Sequence, residues 1–193
     1  MLEVISGGNP DRFVNQYEAI QLLFHPFMFA SPLLQPGQEN VVNAWGVTNT
    51  FPKGVPGAFP VHTPDKIVVK DIEDWKDYVH APSLKFTQNQ WDMVKAQYDA
   101  VDGEQAFKAA FVAPGLFEQT HHLCEISNAL VYYITNPDEM HDLIKYLTEW
   151  ELELAEGICS NLHPDMLFHH DDWGGLDSTF MSPAMFDEFL LEP

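Results

Sequence analysis

Residues 163–177, HPDMLFHHDDWGGLD, place His169, His170, Asp171 and Asp172 side by side, after an apolar run and before Trp173 and two glycines. Imidazole titrates near neutral pH and carboxylates below it, so this row could exchange protons with a bound substrate. A metal or acid–base site, a solvated turn and a cap for the next helix all fit these residue types. Alternation along a strand sends adjacent side chains to opposite faces, so at most one of the two histidines enters a site, and His170 is the choice. Asp171 and Asp172 join it as candidate catalytic groups, although acids ahead of glycine also bond their own backbone. Asn15, Trp45, Glu118, His121 and Trp173 are the candidate substrate contacts. The two tryptophans suit core or loop packing as well as a ligand wall.

His122-Leu123-Cys124 has the composition of half a zinc site, but on a helix positions two apart face different directions. No metal ligands are therefore assigned. Neither Cys124 nor Cys159 has an identifiable activating neighbour, which argues against a cysteine nucleophile.

Charge and composition limit the partners. Twenty-nine acidic residues against nine basic ones give a formal charge of −20, which repels nucleic acid and anionic lipid. Two cysteines form no disulfide framework and the start of the chain lacks a secretory pattern, so a cytoplasmic setting is expected. The apolar stretch LLFHPFMFA is broken by His25 and Pro26 and falls far short of the ~20 apolar residues of a membrane span. A length of 193 residues with 46% apolar content suits one domain or part of one.

Elements that could position these groups follow from local pattern. Strands are expected at 12–19, 41–49, 107–114 and 166–170, and the proline-rich segment 51–64 reads as a surface loop. Short helical spacing in 70–82 ends at Pro82, and 84–101 forms a second helix. GLFEQTHHLCEISNALVYYI passes through a loop into an apolar helix. Asn136-Pro137-Asp138-Glu139 starts the most secure helix, with Met140, Leu143, Ile144, Leu147, Leu154 and Ile158 as its buried stripe. Ser182-Pro183 begins another. Strands alternating with helices imply four parallel neighbours, whose polar followers collect at the carboxyl edge.

NPDRFVNQYEA, AWGV with its proline-rich sequel, KDIEDWKDYVHAP, FVAPGLFEQ and above all MLFHHDDWGGLDSTFMSPAMFDEFLLEP resemble the amino-terminal half of the uroporphyrinogen decarboxylase superfamily. The HDDWG followed by an MSP-type helix start is more similar to its cobalamin-dependent methyltransferase branch. The resemblance implies a (β/α)8 TIM-barrel type of α/β fold, of which residues 1–193 would supply about four βα units, a half-barrel. It also implies methyl transfer between a small methoxylated or methylated compound and cobalamin or a corrinoid protein. His170 and Asp172 would orient or protonate the leaving atom, with Trp45, His121 and Trp173 as walls. Departures bear on the alternatives. Decarboxylases carry an arginine-rich segment near the first strand, where this chain holds only Arg12, so a substrate of many carboxylates would meet few cations. The zinc residues of the methyltransferase branch would fall beyond the matched region. A half-barrel cannot close alone, so a second chain or further sequence would complete it. A non-catalytic half-barrel that binds a partner chain is the competing reading.

Overall fold

The computed structural model describes residues 19–31 and 33–191 of the chain. Strand β1 (Ile20–Leu23) leads into a 3₁₀ turn, Pro26–Phe29, and is followed by β2 (Val41–Val42), β3 (Thr48–Thr50) and β4 (Phe59–Pro60). Helices α1 (Trp75–Tyr78) and α2 (Gln88–Asp99) precede β5 (Phe107–Val112). Next come α3 (Leu116–Cys124), α4 (Ile126–Thr135), α5 (Pro137–Leu162), β6 (Met166–His169) and α6 (Pro183–Phe186), which runs on into a π-helical turn, Asp187–Leu191.

Parallel β1, β5 and β6 form one sheet in that order, with Leu22, Ala109 and Met166 in register. The strands follow one another in sequence, as crossover helices on one side of a sheet require. Leu23, Ala110 and Val112 pack on one face against Trp91, Val94 and Tyr98 of α2 and Leu154, Ile158 and Leu162 of α5. The opposite face carries Ile20, Leu22, Phe107, Met166 and Phe168, all of them exposed. The molecule is thus mixed α/β with helices on one side of a short parallel sheet.

The expectation of four parallel strands is corrected here. Residues 41–49 do not form one strand but an antiparallel hairpin, in which β2 pairs with β3, and β3 pairs in turn with β4 inside the segment read as a loop. Asn43 turns the chain: its Oδ1 accepts from the backbone N–H of both Trp45 and Val47 at 3.0 Å, and Gly46 takes φ +80°. Only a residue without Cβ adopts that conformation at little cost. The strand expected at 12–19 falls almost wholly outside the described residues, as do Arg12 and Asn15, and the first described strand lies just beyond it in IQLL.

Local chemistry explains the helices. Thr87 and Gln90 form a reciprocal capping box at the start of α2, and Ser182 Oγ accepts from Met185 N–H ahead of α6. The stripe expected in α5 is buried as read, with Leu162 extending it. Asn136 departs from expectation, because its side chain accepts from the Thr135 hydroxyl at 2.7 Å rather than capping α5. Pro137 at the first position still fixes the helical φ there. Residues 116–124, expected in a loop, are helix α3.

Candidate functional site

The carboxyl ends of β5 and β6 bring two distant segments together. After Val112, the chain turns at Pro114 and Gly115 into α3; after His169, pairing extends one residue further through the His170 N–H to the Val112 carbonyl at 2.9 Å. His170 is thereby set beside the first turn of α3, where its Nδ1 lies 3.2 Å from Glu118 Oε2 across 52 residues. The other carboxylate oxygen of Glu118 is 3.8 Å from His122 Nε2, one helical turn on. The Phe111 ring lies 6.2 Å from the His170 ring.

Asp171 is tied to the same helix. Its Oδ2 accepts from Phe117 N–H at 3.0 Å and from the Trp173 indole at 2.7 Å, and its Oδ1 accepts from Glu118 N–H at 2.7 Å. Two otherwise unpartnered amides at the positive end of α3 are satisfied by a carboxylate. Asp172 bonds locally instead, accepting from Gly174 N–H at 3.4 Å in an exposed turn. His169 points to the helix layer and meets Glu151 Oε2 of α5 at 2.9 Å. The two adjacent histidines therefore address opposite sides of β6, as strand alternation requires.

Of the other expected contacts, His121 lies in the last turn of α3, its ring 4.8 Å from His122 and 5.4 Å from Phe117. Trp173 stacks edge-on against Phe186 at 4.7 Å while its indole holds Asp171. Trp45 sits in the core, its ring 4.9 Å from Trp150, away from solvent. Asn15 is outside the described residues. Three contributors escaped the sequence reading. Glu151 anchors His169, His62 places Nε2 3.1 Å from the His122 carbonyl, and Gly115 admits Asp171. None carried a local signal, since each acts on a partner at least 18 residues away.

Burial raises the Glu118 carboxyl above its ordinary range; His170 opposes this, while Asp171 and Asp172 reinforce it. Burial also lowers His121, helped by nearby His62, and pushes His122 down to about 3 with His121 and His62 contributing. His169 moves the other way because its bond to Glu151 favours the charged ring. The outcome is a carboxyl whose burial favours its protonated form more than water would, in contact with a half-exposed imidazole and backed by a neutral one. Such a pair can donate a proton to, or take one from, an atom placed at the sheet's carboxyl edge. Among the described residues, no group of three or more His, Cys, Asp or Glu side chains is arranged to hold a metal ion. Compared with known protein families, curated proteins and solved structures, the chain shows no significant match to any of them.

Proposed function

We propose that the Glu118–His170 pair is the proton-transfer centre of a methyltransferase that acts on a small methoxylated or methylated compound, with a corrinoid as co-substrate. The observation that carries this reading is the 3.2 Å contact between a carboxyl raised by burial and an imidazole, at the carboxyl edge of a parallel sheet. Departure of the methyl group leaves the C–O or C–N electron pair on oxygen or nitrogen. That atom then takes a proton from the pair, and in the reverse direction returns it. Trp173 and His121 flank the site as walls. A corrinoid supplies the methyl-accepting or methyl-donating centre when bound. The described residues offer no zinc site, so zinc, if used, would be held elsewhere in the assembly.

The chain is read as part of a uroporphyrinogen-decarboxylase-like (β/α)8 barrel. Sequential parallel strands, helices confined to one face, and an apolar opposite face support that architecture. Among the described residues, no helix is long and apolar enough to cross a membrane. The exposed face and the outer edges of β1 and β6, against which no strand among the described residues pairs, also favour a second reading, in which the chain binds a partner that completes the sheet. Methyl transfer to cob(I)alamin, assayed over a panel of methoxyaromatics and methylamines with the intact protein, tests the first reading. Turnover of at least one donor is expected; silence across the panel together with tight binding to a partner chain would favour the second.

A further inference from the structure

From this geometry we infer that Asp171, which the sequence suggests as a catalytic acid, is a positioning residue that together with Gly115 locks Glu118 against His170. The inference rests on the reading of Glu118 and His170 as the working pair. All three observed bonds of the Asp171 carboxylate go to protein donors, the Phe117 and Glu118 amides and the Trp173 indole. One of them is the amide of Glu118 itself, and the residue preceding Asp171 in the chain is His170. A single side chain thus joins the backbone of one member of the pair to the neighbour of the other.

Gly115 makes this approach possible. A Cβ built there would lie 2.5 Å from Asp171 Cβ, 2.6 Å from its Cγ and 2.8 Å from His169 Cε1. Two of those atoms belong to the short Asp171 side chain, which cannot move without releasing the α3 amides. A methyl group at position 115 would therefore push β6 away from α3 without removing any titratable group from the protein. Trp173 adds a third restraint, because its indole bonds the same Asp171 oxygen as Phe117 N–H and its ring abuts Phe186.

The test reads coupling directly and needs no substrate. Glu118 is followed by carbon-13 NMR of labelled glutamate, with Glu118→Gln assigning the signal. In the otherwise unaltered protein, His170→Gln should displace the Glu118 titration upward, because the imidazole favours the ionised carboxyl. In Asp171→Asn, the amide group presents a donor to amides that need an acceptor, and the upward displacement on adding His170→Gln should disappear. Gly115→Ala should abolish it likewise, whereas Asp172→Asn should preserve it. Circular dichroism verifies that each variant is folded; should Gly115→Ala fail to fold, Asp171→Asn decides alone. Undiminished coupling in folded Asp171→Asn overturns the proposal. Failure to detect methyl transfer would overturn the functional reading without changing this titration.

Discussion

Two neutral imidazoles, His25 buried and His122 partly buried, should make the fold sensitive to mild acid. His25 is almost wholly inaccessible behind the end of β1, with Nε2 2.9 Å from the Phe111 carbonyl and, among the described residues, no partner for Nδ1, and burial lowers it from 6.5 to about 4. His122 is lowered from 6.5 to about 3. Below pH 6.5 the unfolded chain takes up protons that the folded rings refuse. The stability each ring contributes is therefore complete above that pH and declines as the pH falls toward the folded value. Between pH 7 and pH 5 the loss is about 2 kcal/mol for each ring, or roughly 4 kcal/mol together, against a typical domain stability of about 5–15 kcal/mol. Glu118 and His169 act in the opposite sense, since the fold favours their protonated forms. Comparison with His25→Gln cancels their contribution, because glutamine can keep the bond to the Phe111 carbonyl without titrating. Urea unfolding at pH 7, 6 and 5 should show the variant losing about 2 kcal/mol less than the parent over that interval. Equal pH dependence in the two proteins would refute the assignment of His25 as a buried neutral ring.

Other expectations follow from packing and caps. Ile144→Ala, at a fully buried position of α5, should destabilise the fold by about 2–5 kcal/mol in denaturant titration. Thr87→Ala removes the cap and half of the reciprocal box at α2, and the same measurement should read a loss of about 0.5–2 kcal/mol. Phe168→Glu, on the exposed sheet face, should reduce any self-association seen by sedimentation; association that persists unchanged would place the contact elsewhere. Asp172→Asn removes a carboxylate that helps to raise Glu118, so the Glu118 titration should move to lower pH while folding stays near normal.

Much of the fold was legible where the signal is local. Pro137 and a stripe recurring at helical spacing mark α5, Ser182-Pro183 marks α6, and the mostly apolar FKAAFV marks the central strand that pairs with β1 and β6. Helix α3 was not legible, because Gly115 offers no side-chain cap and the cap that replaces it, Asp171, lies 53 residues from Glu118. The hairpin at 41–50 was missed because two short strands and the turn at Asn43 to Gly46 were read as one apolar run. At the site, Glu118 and His170 were both singled out by type and by position after an apolar run. Their direct contact depends on β5 and β6 being adjacent, and the division of labour between Asp171 and Asp172 depends on which one faces α3. Those are tertiary facts without a sequence period.

The most direct test of the proton-transfer centre is the rate at which the intact protein transfers methyl from its best donor to cob(I)alamin, compared for the parent, Glu118→Gln and His170→Ala. Loss of a general acid or base typically lowers the rate by about 10²–10⁴-fold, and the double variant should be little worse than either single one if the two groups act as a unit. Folded variants that retain the parent's rate and pH profile would contradict the assignment of Glu118 and His170 to this role.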